Sequence, residues 1–556
     1  MNMPLAILNR RRRGFTAFSP STLFALAEPG VWYDPSDLTT LFQDTAGTTP
    51  VTAPGNTVAL MLDKSRGLTL GPDTAVNGSF ATDTGWTKDV GWTISSGKAS
   101  TSGSLGYLYQ NGSAAKVVGL VYKITFTVSD YVSGNVTPYI SSVTPTGTPF
   151  NSNGDKTVYL RAINTSAEQG FAPPGAGSSF SIDNYVVREL AGNHATQATA
   201  ASRPIYGVVP QGGRRNLLLQ TEAPTNAAWV TSGTSTVTSG ITDPDGGSTA
   251  FTVKNTGAGS AARYQVATVV SGQTYTNSIW LRRRLGTGTI SVLAINGQGG
   301  VGQAVTLTSA WQRFVAPAGF TNVASSTTGY MGFEIGTAGD EIDIWHPQLE
   351  TGSTATNYQR VTTQHDVTEA GVASVSYLYF DGADDAMATS TITPGIDKAQ
   401  VFAGVRKLSD AVGSIVGGNG NTAVQFEILS TGWSTPASKY GAAFYTNALS
   451  IADTAANFAP PRTDVLAWRL DTAGAANTDR LKLNVNAAPQ TLNMPLPVTA
   501  TANFTALPLY INARSGTSLF FQGHLYSLVV RFGANLDATV ISSTETFVAG
   551  KTGVTL

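Results

Sequence analysis

The sequence predicts an all-β protein of several β-sandwich domains with very little helix, and three observations carry that expectation. Short runs rich in β-branched and aromatic residues recur along the chain. Clusters of Gly, Asn, Asp, Ser and Pro separate them at sandwich-like spacing, and the 3.6-residue apolar period of a helix is nearly absent. At 556 residues the chain exceeds what one core serves, since domains run to roughly 100–200 residues. Charged residues make up 12%, about half the ~25% of an average soluble protein, which argues against disordered tails and long charged helices. With 34 basic and 35 acidic side chains the net charge is -1, so the chain as a whole has no field that would draw it along nucleic acid. There is no Cys and there are four His, which excludes disulfide frameworks, Cys-ligated zinc and thiol nucleophiles.

The first 29 residues read as an arm. A short apolar stretch at 3–8 precedes Arg10, Arg11, Arg12 and Arg13, the reverse of a secretory signal's basic-then-apolar order. The arm is expected to dock on a partner through these arginines and through Phe15, Phe18 and Leu23; a frayed basic terminus is the alternative. No apolar run approaches the ~20 residues of a spanning helix, so membrane insertion is not expected. Residues 21–26 and 536–548 are the best helical stretches, the second opening after Asn535 with Leu536, Val540 and Phe547 near one face. Strands are predicted at 121–128, 156–160, 181–187, 274–281, 400–405, 464–470, 480–485 and 525–531.

Several stretches far apart in the chain belong together. They are 30–38 (GVWYDPSDL), 44–51 (DTAGTTPV), 62–67 (LDKSRG), 192–206 (GNHATQATAASRPIY), 377–387 (YLYFDGADDAM) and 547–553 (FVAGKTG). Taken in order they resemble one concanavalin A-like, laminin-G-type lectin sandwich, of a kind common in bacterial and phage surface proteins, interrupted twice. The first interruption opens with Asn77, Gly78, Ser79 and Phe80, passes Trp86 and Trp92, and closes at 180–190 (FSIDNYVVREL). The second opens at 216–219 (NLLL) with Trp229, passes 278–282 (SIWLR) and 311–314 (WQRF), and closes at 340–350 (DEIDIWHPQLE). Both resemble carbohydrate-binding-module jelly rolls. The resulting organisation is an arm at 1–29, sandwich parts at 30–69, 191–212 and 363–556, and inserts at 70–190 and 213–362. Stretches 198–213 and 362–376 read as seams between domains. Each insert is long enough for its own two-sheet core, and a compact domain's neighbouring termini make insertion into a surface loop tolerable.

Catalytic patterns are absent. His194, His346, His365 and His524 stand without a Gly-x-Ser-x-Gly elbow, and there is no His-Glu-x-x-His motif, phosphate loop or dinucleotide fingerprint in context. Glycoside hydrolysis needs two carboxylates across a sugar bond. Glu341 and Asp343 alternate within an insert's closing strand, and Asp381, Asp384 and Asp385 fall in a turn. The protein is therefore expected not to be an enzyme and to need no cofactor. Sugar binding asks for flat aromatic faces beside planar polar groups. The candidates are Trp86, Trp92, Tyr107 and Tyr109, the last two sharing a strand face; Trp280 with Arg282; and Trp433, Tyr440 and Tyr445. A place in a sandwich core is the alternative for each. Trp32, Trp311, Trp345 and Trp468, framed by apolar residues, look more core-like. The jelly-roll resemblance also implies a structural calcium ion, for which Asp183 and Asp343 match the family's carboxylate position; a carboxylate facing water is the alternative.

The resemblance implies a virion role: a tail or head fibre, spike or decoration component, assembled in the host cytoplasm. The arm would be fixed to phage structural proteins of the neck, tail or capsid, and lectin-like modules would face host cell-surface polysaccharide. A homo-oligomer, a trimer for instance, would raise weak sugar affinity by avidity. The alternatives are a free or surface-attached bacterial lectin or adhesin, and a glycan depolymerase.

Overall fold

A computed structural model describes residues 18–141, 149–295, 300–321, 327–418, 424–432, 438–446, 448–497 and 500–556. The protein is a set of antiparallel β-sandwiches, as the alternation of its apolar residues dictates. It divides into two compact units, one from Met1–Pro50, Val58–Arg203 and Phe380–Leu556, the other from Val51–Thr57 and Pro204–Tyr379. No helix among the described residues is long and apolar enough to cross a membrane.

The first unit holds two pairs of sheets. In one pair, Gly30–Tyr33, Gln522–Phe532, Lys398–Lys407, Arg462–Asp471 and Leu481–Val485 lie side by side. The facing ten-stranded sheet includes Leu41–Phe42, Leu60–Met61, Ala195–Thr196, Met387–Ile392 and Leu507–Ile511 as neighbours. The chain thus leaves this sheet after Leu60–Met61 and returns at Ala195–Thr196 in the adjacent position. A buried hydrogen-bond lock closes the excursion. Asp63 Oδ1 accepts from Trp32 N and Ser65 N, both at 2.8 Å, and Oδ2 from Ser65 Oγ (2.7 Å) and Asn193 N (2.8 Å). Asp63 N donates to His194 Nδ1 at 2.9 Å, while His194 Nε2 lies 3.1 Å from Leu190 O. The imidazole bridges two backbone groups, which gives this His a structural role in the turn.

Between the two passes, residues 70–190 form a four-stranded and a six-stranded sheet. Within Val121–Ser133, buried and half-buried side chains alternate from Tyr122 to Val128, sending Ile124, Phe126 and Val128 into a core shared with Phe80, Phe171, Phe180 and Tyr185. The helix Ala538–Thr552 starts where Asp537 accepts from Val540 N and ends at Gly553, whose φ of 74° suits a helix C-cap. Its Ile541, Val548 and Ala549 pack with Leu23, Phe24, Trp32, Phe402 and Val529. Gly404 permits that approach, since a Cβ there would lie 2.5 Å from Thr552 Cγ2. The helix expected at 21–26 is a short 3₁₀ turn, Pro20–Phe24.

The second unit contains two five-stranded sheets, with Ile279, Leu281, Ile290, Phe333, Ile342 and Ile344 in the core between them. The stretches read as seams are themselves strands. Gln359–Thr363 pairs with Asp366–Glu369, Val208 pairs in parallel with Asp366, and Ile205–Pro210 pairs antiparallel with residues from Ser374 to Tyr379. Their small polar residues still carry backbone donors and acceptors, and pairing with each other satisfies these. This unit therefore takes in residues 204–212 and 363–379 as well as the second insert.

Candidate binding cleft

The cleft belongs to the second unit and lies on the side of one sheet turned away from the core. Along Thr274–Leu285, Ile279 and Leu281 enter the core, so Ser278, Trp280 and Arg282 stand on the opposite face. Along Glu341–Thr351, Ile342 and Ile344 enter the core, which leaves Asp343 and Trp345 on that outer face. Register sets Arg282 opposite Asp343 and Trp280 opposite Trp345, with Arg313 of Gln312–Thr321 on the other side of Trp280. The face therefore carries two cross-strand rows.

The first row is closed on itself. Asp343 is buried, accepting from Arg282 Nε at 2.7 Å and Thr252 Oγ1 at 2.5 Å. The Arg282 guanidinium also sits 4.7 Å from the Trp311 ring centroid. Asp343, expected as a calcium ligand, is here the ion-pair partner of Arg282, and Arg282, expected to meet glycan, holds Asp343.

The second row opens into a cavity. The ladder shifts register between Ser278 and Trp280, and opposite this bulge His346 has φ of 49°. In a regular strand Trp345 and His346 would point to opposite faces; the bulge stacks them, with ring centroids 3.3 Å apart and planes at 18°. Tyr358 stacks on the other face of His346 at 3.6 Å and 14°, and Trp280 meets Trp345 edge-on at 6.0 Å. A left-handed conformation at a non-glycine residue is the kind of strain that gathers at functional sites. The cavity has a volume of about 580 Å³ and is lined by Trp280, Trp345, His346 and Tyr358, with Arg313, Arg360, Asn357, Glu222, Asp245 and Glu369 among its polar groups.

The cleft's charges are differently engaged. Burial pushes the His346 imidazole down to about 3, Arg313 adding to the effect and Asp243 opposing it, so the ring is neutral. Its Nε2 lies 3.8 Å from Glu222 Oε1. Burial raises Glu222 above the usual carboxylate range, although Arg360 and Tyr358 pull it down. Burial also raises the Tyr358 phenol, helped by Glu222, and Thr221 Oγ1 lies 2.6 Å from its hydroxyl. Against burial, Glu369 is held below its ordinary value by Arg215, bidentate at 2.9 Å, and by Gln359. Arg360 donates to Thr368, Thr362 and Asp366.

Of the aromatics expected to meet sugar, Trp280 alone among the described residues lines this cleft. Trp86 and Trp92 are core residues of the 70–190 module, their indole N–H groups donating to Asn77 O (3.0 Å) and Gly106 O (3.1 Å). Tyr440 is fully buried and donates to Asp464 Oδ2 at 2.7 Å. These three are buried, as Trp345 is at 7%, but they lie outside the cleft. Tyr107 is exposed, edge-on to Tyr139 at 5.6 Å, and Tyr109 and Tyr445 are half-buried. Trp433, Arg10, Arg11, Arg12, Arg13 and Phe15 lie outside the described residues. Leu23 is buried in the chain's own core and Phe18 packs edge-on to Phe547 at 6.5 Å, so neither is free for the attachment expected of it. Asp183 is half-buried and accepts from Asn184 N at 2.6 Å. Among the described residues, carboxylate oxygens gather instead at Asp381, Asp384 and Asp385, within 4.8 Å of one another. Burial, with the charges of the other two, pushes Asp385 up to about 7. The sequence reading missed Trp345, His346, Tyr358 and Arg313. Alternation with Ile342 and Ile344 could have put Trp345 beside Trp280; nothing local announces the bulge.

No family model and no curated protein matches this chain. Among solved structures, the CBM40 module of the Ruminococcus gnavus IT-sialidase, solved with α2,3-sialyllactose, is 16% identical, covering 27% of this chain and 84% of its own at a TM-score of 0.22. The tandem CBM22 modules of Paenibacillus barcinonensis Xyn10C are 10% identical over 51% of this chain and 98% of theirs, TM-score 0.22. Mouse laminin α1 domains LG4–5 are 13% identical over 49% and 88%, TM-score 0.22. At such scores the likeness decides no ligand, and function is read from the side chains.

Proposed function

We propose that the protein is a non-enzymatic, lectin-like glycan-binding protein whose cleft on the second unit receives sugar rings. The observation that carries this is the second row: Trp280 and Trp345 on one sheet face, extended by the His346–Tyr358 stack, beside the planar polar groups of Arg313, Asn357 and Glu222. Sugars present C–H faces to aromatic rings and hydroxyls to amide, guanidinium and carboxylate groups. The cavity falls within the ~300–1,000 Å³ of ligand sites. A glycan array followed by titration tests it: Trp280→Ala should weaken the bound glycan about tenfold or more, and an array without any bound glycan would refute the reading.

The finer reading is a phage particle component that displays this cleft to host polysaccharide. Its support is the sequence resemblance and the arginine-rich arm. With Phe18 and Leu23 packed in the chain's own fold, attachment falls to Arg10–Arg13 and Phe15. Deleting residues 1–17, which spares the packed segment, should abolish incorporation into particles; normal incorporation would overturn this role. The reading includes no turnover. Reducing ends released from the bound glycan by the protein, and lost with Glu222→Gln, would replace it with a depolymerase.

A further inference from the structure

Arg313 is placed for a ligand that the chain does not itself supply. It stands beside Trp280 in the cross-strand row and lines the cleft. Its Nη2 is fixed by Ser278 Oγ at 2.9 Å and Thr356 O at 2.6 Å, which sets the plane of the guanidinium. Its Nε is buried without a partner; Nη1 has no partner among the described residues and is not one of the buried unpaired atoms, so it is open to the cleft. Arg215, Arg282, Arg283 and Arg360 of this unit have carboxylates, Glu369 (2.9 Å), Asp343 (2.7 Å), Asp340 (2.9 Å) and Asp366 (3.3 Å); Arg214 and Arg263 have none among the described residues, and backbone carbonyls of Asn216, Leu217, Leu218 and Pro224 accept from them instead. Arg313 has no such ion pair with a described residue. The carboxylate it senses, Glu350, is engaged by Gln348 Nε2 (2.7 Å), Thr356 N (2.8 Å) and Thr356 Oγ1 (2.6 Å). Glu350 thus supplies opposing charge without a direct ion pair, and the Nη1 donors of a half-buried guanidinium are left for an acceptor that a ligand brings.

From this, and resting on the glycan reading, we infer that the cleft selects carboxylate-bearing sugars, uronic or nonulosonic acids, with the ring against Trp280 and the carboxylate on Arg313. The open Nη1 gives a carboxylate oxygen a charge-assisted hydrogen bond, stronger than the one it gives the neutral oxygen of a hydroxymethyl group. The acidic groups of the cleft do not cancel this. Glu369 is covered by Arg215, Glu222 is beside His346 and Tyr358 and is raised by burial, and Asp245 is exposed to solvent that screens it.

The test uses the full chain at ~150 mM salt, where surface attraction is screened within ~8 Å. Oligosaccharides of polygalacturonate, alginate, hyaluronan and polysialic acid are titrated, each beside its carboxyl-reduced form. At least one acidic form should bind about tenfold or more tightly than its reduced form. Arg313→Gln should bring that ratio close to one, and Arg313→Lys should restore part of it. The proposal is overturned if no acidic form is preferred, or if Arg313→Gln keeps the preference. Binding of a reduced or neutral glycan that is lost in Trp280→Ala would then show the glycan reading standing without acid selection; no binding of any glycan would remove both.

Discussion

Acidification should destabilise the second unit, through two histidines held neutral inside it. Burial pushes His346 down to about 3, with Arg313 adding and Asp243 opposing, and His365 down to about 4, with Arg214 adding. His365 is 7% exposed and the His346 side chain 17%, so solvent screens neither strongly. An unfolded histidine titrates near 6.5. Below that pH the unfolded chain binds protons that the folded chain refuses, so stability is intact above pH 6.5 and falls as the pH drops toward 4. At pH 5, about 1.5 units below the unfolded pKa and above both folded values, each group costs ~2 kcal/mol and the two together ~4 kcal/mol. For a unit of this size that is a fall in Tm of roughly 8–16 °C. Calorimetry of the full chain at pH 7.5 and 5.0, beside a His346→Gln, His365→Gln double variant, isolates the effect. Glu222, raised by burial, acts in the opposite sense and is common to both proteins. Equal falls in wild type and double variant would refute the reasoning.

Lys116 gives the alkaline counterpart in the first unit. Burial lowers it to about 8, opposed by Asp73, although Thr74 Oγ1 (3.0 Å) and Gln169 Oε1 (2.6 Å) accept from it; between pH 8 and 10 wild type should gain ~2 kcal/mol relative to Lys116→Met, measured by urea unfolding at each pH. Asp63→Ala should cost ~3 kcal/mol or more, because it strands the N–H groups of Trp32, Ser65 and Asn193 in the interior; a loss under ~1 kcal/mol in a denaturant melt would show the lock to be dispensable. Gly404→Val should loosen the terminal helix against its sheet, because even a Cβ would sit 2.5 Å from Thr552 Cγ2. Faster amide exchange in Ala538–Thr552 at unchanged rates elsewhere is the expected readout.

The elements were legible where apolar periodicity acts alone. The strands at 121–128, 274–281 and 525–531 lie within Val121–Ser133, Thr274–Leu285 and Gln522–Phe532, and the terminal helix runs Ala538–Thr552 against an expected 536–548. The aromatics were harder. Trp86, Trp92 and Tyr440 look like sugar platforms in sequence and fill cores in space, because a ring suits either place and only the facing sheet decides which. Trp345 looked like core and is buried at 7%, yet it also lines the cleft.

By itself, then, the sequence determined the class of the fold and the sites of its strands, since strand formation and the burial of alternate residues are local consequences of side-chain order. It also marked Asp63 and His194 as belonging together across 130 residues, although through resemblance, not through their chemistry. Only the tertiary structure decided what those residues do, and only it made the cleft. His346 becomes part of an aromatic stack through a bulge whose cause is the pairing of Thr274–Leu285 with Glu341–Thr351. Arg313 keeps an open Nη1 because the Glu350 oxygens are taken by Gln348 and Thr356. Both are properties of neighbours brought together by long-range pairing, and a sequence states its residues' chemistry without stating which of it remains unsatisfied after folding.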